Sequence, residues 1–166
     1  MIEHKTISLA DQVFEHLEND ILSGKYSRGE ILTESKLSAE LGVSRTPIRE
    51  ALRRLEQLNE LKETLELQEF YLNKRDAERI KHMDNQFHRT LYKLSGSMSF
   101  YDTLVPLHKK IQKYRKASLE SKSRAEASVQ EHRRIFEAIE SANSELASQY
   151  AKEHVENAYN HIVGKD

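Results

Sequence analysis

The stretch from Gly29 to Glu56, GEILTESKLSAELGVSRTPIREALRRLE, decides how this chain is read. Thr33 is suited to cap a short helix that runs through Leu37 and Leu41 and stops at Gly42, a residue that turns left-handed without strain. Two residues later Ser44 caps a further helix, with Ile48, Ala51, Leu52 and Leu55 as its buried stripe. Pro47 falls in the first turn of that helix, where a missing amide hydrogen has no intrahelical partner to lose. Two helices parted by Gly42-Val43-Ser44, the second basic on its outer face, have the spacing of a helix-turn-helix.

A helix that enters the major groove needs donors near its N-terminus and apolar residues behind to seat it. Ser44, Arg45, Thr46 and Arg49 supply the donors, and Ile48, Leu52 and Leu55 the seat. Arginine forks onto guanine O6 and N7, while hydroxyls and the helix N-terminus suit phosphate oxygens. Arg53 and Arg54 extend the positive strip, so Arg45 to Arg54 holds four arginines against Glu50 alone. Ser35 and Lys36, near the start of the preceding helix, are placed to hold the DNA backbone. On spacing alone the competing reading is the solvated face of a small helical bundle.

Composition agrees with helices. The chain has 166 residues, 32% charged and 37% hydrophobic, with five Gly, two Pro and neither Cys nor Trp. So few Gly and Pro exclude a turn-rich fold, and the lack of Cys excludes disulfides, thiolate metal sites and a Cys nucleophile. No apolar run approaches the ~18 residues of a membrane span, and residues 1–10 show no export signal, so the expected address is cytoplasmic. The net charge of −1 neither requires nor excludes a nucleic-acid partner, which must be argued from the local arginine cluster.

Upstream, Ser8 can cap a helix carrying Leu9, Val13, Leu17, Ile21 and Leu22 and ending before Gly24, with Lys25 to Glu30 as a loop. Downstream the periodicity is helical throughout: Leu61 to Leu72, Arg75 to Leu94, Phe100 to Ala117, Ala125 to Ala142, and a last helix from an Asn143 cap to Val163 before Gly164. Ser95-Gly96-Ser97 and Ser118 to Ser123 supply breaks. A mainly α chain is expected, with residues 1–60 and 61–166 as its two domains.

The second half places polar residues where apolar ones belong. Asp84 and His88 lie four apart on a face shared with Leu91; His132 recurs with Ile135, Phe136 and Ile139; His154 lies with Tyr150, Ala151 and Ala158. Burying an ionised carboxylate or an imidazole costs several kcal/mol unless it is compensated, and one divalent cation would satisfy all four. Three imidazoles and a carboxylate suit Zn, and accept Ni, Fe or Mn if water fills further positions. Separate hydrogen-bonded core histidines are the alternative, and His108 and His161 lie on similar stripes.

The run VSRTPIREALRRLE resembles the recognition helix of GntR-type transcriptional regulators, and the longer run that holds it resembles their winged helix-turn-helix head. That resemblance implies DNA contacts at Ser44, Arg45, Thr46, Pro47 and Arg49, with Ser35 where relatives can carry a basic residue. DNQFHRTLYKLSG and EHRRIFEAIESANSELASQYAKEHV resemble the FadR-like effector domain, the FCD type, that accompanies such heads. The resemblance implies a metal held by Asp84, His88, His132 and His154, and a small carboxylate or hydroxy-acid effector bound beside it. It further implies a homodimer on a pseudo-palindromic operator of double-stranded DNA, with no membrane partner. His108 and Arg115, near the apolar seam, are candidate pocket residues, weighed against a core and a solvated-stem role.

The resemblance is interrupted after Glu60, where relatives continue through a two-stranded wing, a linker and two effector helices. Roughly 50 to 70 residues are wanting, judged by the length of those elements. Because a bundle stripped of two helices would expose the seam around Asp84 and His132, the expectation is an unseen segment, with consecutive alpha carbons between Asn59 and Lys62 far more than ~3.8 Å apart. Ser97, where many relatives have Asn, is a smaller departure at the pocket edge. Two other functions fit a buried metal: an enzyme in which it activates water, and a structural bundle in which it only staples helices. No carboxylate is spaced as an obvious general base, and no Ser-His-Asp triad or Gly-rich phosphate loop is present.

Overall fold

The first helix begins where the sequence places its cap. Ser8 Oγ accepts from the Asp11 amide at 3.1 Å, and Asp11 Oδ2 accepts from the Ser8 amide at 3.1 Å, closing a capping box at the start of α1 (Leu9–Leu22). The computed structural model describes residues 8–27, 29–120 and 122–164, with side chains outside 112–122. After α1 come α2 (Glu34–Leu41), α3 (Arg45–Lys74), α4 (Ala77–Leu94), α5 (Met98–Glu120), α6 (Lys122–Glu140) and α7 (Ser144–Val163). No strand occurs among the described residues, so the head carries no wing there. No helix among them is long and apolar enough to cross a membrane.

The chain divides into two compact units, Met1–Gln57 and Leu58–Asp166. In the first, Val13 and Leu17 of α1, Leu37 of α2 and Ile48 and Ala51 of α3 form the core, flanked by Phe14, Tyr26, Leu32, Leu41, Val43, Leu52 and Leu55. Thr33 caps α2 by accepting from the Lys36 amide, and Gly42 ends it at φ 66°. Ser38 Oγ donates to the Val43 carbonyl at 2.6 Å, so the turn between α2 and α3 is tied back to α2.

The second unit closes on Leu61, Leu65, Phe87, Val129, Ile135 and Phe136, with Leu58, Leu72, Leu91, Leu94, Ile139, Tyr150 and Ala151 packed around them. A fully buried Leu or Phe stabilises by about 1.5–3 kcal/mol, so these six side chains supply much of the unit's hydrophobic term. Asp76 caps α4 at the Arg79 amide and Asn143 caps α7 at the Leu146 amide, each at 3.1 Å. Gly96, at φ 68°, turns the chain between α4 and α5. α5 carries Pro106 in its interior. It runs to Glu120 and α6 starts at Lys122, which narrows the break expected over Ser118 to Ser123.

The expected gap after Asn59 is not there. α3 is continuous from Arg45 to Lys74, and side-chain bonds cross the junction: Asn59 Nδ2 donates to Glu63 Oε1 at 2.8 Å, and Thr64 Oγ1 to the Glu60 carbonyl at 2.7 Å. The physical reason is register. Apolar residues recur every three or four positions through the junction, at Leu52, Leu55, Leu58, Leu61 and Leu65, with no Gly or Pro among them to break the helix. The seam does need a cover, and α3 provides it. Leu61, Leu65 and Gln68 of its second half are buried, and Asp84 and His132 are only 3% and 0% exposed.

Candidate metal centre and nucleic-acid interface

Helical spacing sets Asp84 and His88 one turn apart on the inner face of α4, while α6 delivers His132 and α7 delivers His154. All four are buried. One ring nitrogen from each of His88, His132 and His154 lies within 4.8 Å of the others. Asp84 Oδ1 stands 3.9 Å from His88 Nε2 and 3.8 Å from His132 Nε2, too long for hydrogen bonds and close enough for two ligands of one ion. Nitrogens sharing a tetrahedral zinc lie about 3.3 Å apart, so the trio needs only small rotations to close on a cation. Phe87 stacks on His132 with centroids 4.2 Å apart and planes 15° from parallel, which fixes that ring from one side.

The outer partners decide which nitrogen each ring offers. Gln68 Nε2 donates to the Met83 carbonyl at 3.2 Å, so its Oε1 is the atom turned to His132 Nδ1, 2.8 Å away. An amide oxygen only accepts, so His132 carries its proton on Nδ1 and turns the Nε2 lone pair inward. His154 Nδ1 lies 2.7 Å from Glu131 Oε2, and by the same reasoning its Nε2 lone pair faces the cluster. Glu131 is itself gripped by Arg124 through two bonds of 2.7 and 2.8 Å, and by Asn157 at 2.9 Å. Burial alone would raise the Glu131 carboxyl, but hydrogen bonds from His154, Arg124 and Asn157 hold it down at about 2.

His108 joins the edge of this cluster. It is 5% exposed, its ring centroid is 4.6 Å from that of His88, and its Nε2 lies 3.1 Å from Asn85 Oδ1. Tyr92 Oη is 3.5 Å from its Nδ1. Arg115 falls in α5, and its side chain lies outside the described residues. His161 is not in the cluster; with Ser123, Arg124, Ala127, Glu131 and Asn157 it lines an open cavity of about 290 Å³. Sequence reasoning missed Gln68, Glu131 and Arg124. Gln68 had a signal, since it interrupts the stripe Leu61, Leu65, Leu72, whereas Arg124 had none.

In the head, Ser35, Lys36, Ser44, Arg45, Thr46 and Arg49 are exposed, all on α2, on α3 or in the turn between them. Pro47 is buried, so its ring shapes the start of α3 rather than offering surface. Arg54 is drawn to α1, bonded to Asp11 and lying over the Phe14 ring, 4.7 Å from its centroid. Lys36 Nζ pairs with Glu30 at 2.7 Å. Arg49 makes two bonds to Glu34, Nε to Oε1 at 2.7 Å and Nη2 to Oε2 at 2.8 Å, and these hold the Glu34 carboxyl below its ordinary range.

Comparison with known proteins agrees with both halves. The FCD domain matches residues 45–157, and the gntR family of bacterial regulatory proteins matches residues 9–62. "Uncharacterized HTH-type transcriptional regulator YdhC" of Bacillus subtilis (strain 168) is 25% identical over 200 residues, covering 91% of this chain and 89% of that one. Since 91% of 166 residues is about 151, roughly 50 of those 200 alignment positions have no counterpart in this chain. "HTH-type transcriptional regulator Mce2R" of Mycobacterium tuberculosis (strain CDC 1551 / Oshkosh) is 47% identical over 49 residues, 29% of this chain and 20% of that one. The crystal structure of a "putative transcriptional regulator GntR" from Rhodococcus sp. RHA1 shares the fold, with a TM-score of 0.57 at 19% identity over 93% of this chain and 97% of that one. A helix-turn-helix head, a helical domain with a three-histidine cluster, and these matches together place the chain in the FCD-domain family of GntR-type transcriptional regulators, which bind operator DNA and are not enzymes.

Proposed function

We propose that the chain reads a pseudo-palindromic operator as a homodimer and adjusts its grip when a small carboxylate or hydroxy-acid enters beside a metal in the helical domain. Residues 1–60 are taken as the reading part and 61–166 as the sensor. Arg45 and Arg49 address guanine edges, Ser44 and Thr46 the phosphates at the head of α3, and Ser35 and Lys36 the backbone. Asp84, His88, His132 and His154 hold the cation, most favourably Zn, with Ni, Fe or Mn also suited to the donor set. The observation that carries the sensor half is the convergence of three imidazole nitrogens and one carboxylate oxygen in a buried pocket.

The cation, when bound, supplies coordination positions that oxygen ligands of an acid can take in place of water. The chain's own groups do the rest. Gln68 and Glu131 keep the His132 and His154 lone pairs aimed inward, and His108, Asn85 and Tyr92 form a polar edge for the acid's remaining oxygens. An effector that binds one arrangement of the protein more tightly than another shifts operator affinity by that difference, with no reaction. Because it reads DNA, the protein is placed in the cytoplasm.

The test couples both halves. Purified protein is analysed for bound metal, and its affinity for a duplex that it selects from a randomised library is measured across a panel of small acids, with and without a chelator. The reading expects about one divalent ion per chain and a metal-dependent shift of operator affinity by at least one acid, in the range of fivefold to a hundredfold or so. A metal that binds while no acid alters DNA affinity favours the helix-stapling role instead.

A further inference from the structure

The contact between Glu34 and Arg49 is more than an ion pair, because its geometry fixes a direction. Glu34 sits in the first turn of α2 and grips the side edge of the guanidinium, taking Nε and Nη2 together at 2.7 and 2.8 Å. Arginine has five donors in one rigid plane, so three remain, including the end fork formed by Nη1 and the second hydrogen of Nη2. Pairing one edge of a plane sets where the other edge looks, and the end fork is the edge that matches guanine O6 and N7. The Arg49 side chain is 67% exposed, one helical turn beyond Arg45. The Lys36 ammonium meets Glu30 at a single point of 2.7 Å, and a point contact orients no fork.

We propose that Glu34 is a positioning residue for base reading: it holds the Arg49 guanidinium side-on so that its end fork is presented to guanine in the operator. The inference rests on the DNA-reading role proposed above. It carries a signature of opposite signs. A carboxylate near the DNA repels every phosphate it approaches and so lowers affinity for any duplex. A pre-aimed arginine loses less freedom when it meets its base, and so raises affinity for the right one. Removing Glu34 should therefore weaken discrimination while leaving general DNA affinity equal or higher. A carboxylate that only shields Arg49 from DNA raises both on removal, and one that only supports the N-terminus of α2 lowers both together with stability.

The experiment uses the full chain and a duplex that the wild type selects from a randomised library, together with single base-pair variants and a scrambled sequence. Affinities are measured for wild type, Glu34→Ala, Arg49→Ala and the double variant, with melting temperatures alongside. Glu34→Ala should lose about three- to tenfold of the preference for guanine at one position per half-site, the position where Arg49→Ala also loses preference. It should bind the scrambled duplex at least as well as wild type. In the Arg49→Ala background, removing Glu34 should change discrimination by less than about twofold, since its effect runs through that arginine. Uniform tightening on all duplexes, uniform weakening with a lower melting temperature, or an unchanged preference profile overturns the proposal. Glu34→Gln, which keeps the shape and loses the charge, serves if the alanine variant is poorly folded. Failure of the wild type to select any duplex defeats the DNA-reading role and this inference with it, whereas selection by the wild type with an unchanged Glu34→Ala profile defeats the inference alone.

Discussion

Replacing Gln68 by Leu tests how the proposed metal pocket is organised, because it keeps the volume of a 1% exposed side chain and deletes only its polar end. Two hydrogen bonds go. The Met83 carbonyl sits inside α4, where the helix ladder still satisfies it, so that loss is small. The His132 Nδ1 proton loses the oxygen 2.8 Å away and is left in a residue with no exposed surface. An orphaned buried donor costs about 1–3 kcal/mol, offset by a fraction for the more apolar Leu. At about 4 °C per kcal/mol for a unit of this size, the metal-free protein should melt roughly 4–12 °C lower. The ring also loses what holds its Nε2 toward Asp84 and His88, and loss of such an outer partner lowers metal affinity about 10- to 100-fold. Chelator competition reads the second effect, and circular dichroism melting in excess chelator reads the first. A Leu variant that melts as wild type and binds zinc within about twofold of it would falsify the account of Gln68 as the atom that sets the His132 tautomer.

Other substitutions separate the remaining roles. His88→Ala should abolish the zinc-dependent rise in melting temperature and lower bound-metal stoichiometry together, read by elemental analysis and melting with added zinc. Arg45→Ala should cost about 1–3 kcal/mol on the selected operator and relax base choice, whereas Lys36→Ala should weaken all duplexes alike and reduce the salt slope by about one; equal negligible losses would remove both assignments. Leu65→Ala, at a site 1% exposed between α3, α4 and α6, should destabilise by about 2–5 kcal/mol in denaturant titration; a near-neutral result would mean that the second half of α3 does not cover the core. Arg124→Leu breaks a largely buried pair whose side chains are 8% and 11% exposed and should cost roughly 3–5 kcal/mol, with a drop in metal affinity transmitted through Glu131 and His154.

Much of this was legible from local chemistry. Caps at Ser8, Thr33 and Asn143, and stops at Gly42 and Gly164, lie where the sequence indicates, because a cap depends on a few adjacent residues and a hydrogen bond within reach. Asp84, His88, His132 and His154 were found by one rule, polar residues on apolar stripes, and the structure brings all four together. The same rule put His108 near the seam, where it lies, and cannot separate it from a ligand, since a stripe says inward and not toward what. The junction at Asn59 was misread. A family pattern argued for a gap, while Leu55, Leu58, Leu61 and Leu65, three or four residues apart, already have the period of a continuing helix.

What the sequence by itself determined, then, is the order of helices, the donor-rich start of α3 and the set of groups turned inward, since each follows from periodicity or from neighbours a turn away. Only the tertiary structure decided that α3 is the cover for the histidine cluster, that Gln68 and Glu131 are the partners of His132 and His154, and that Arg49 is held by Glu34. Those pairs join residues 64, 23 and 15 positions apart, and no local propensity encodes a hydrogen bond whose partners meet only once separate helices have packed.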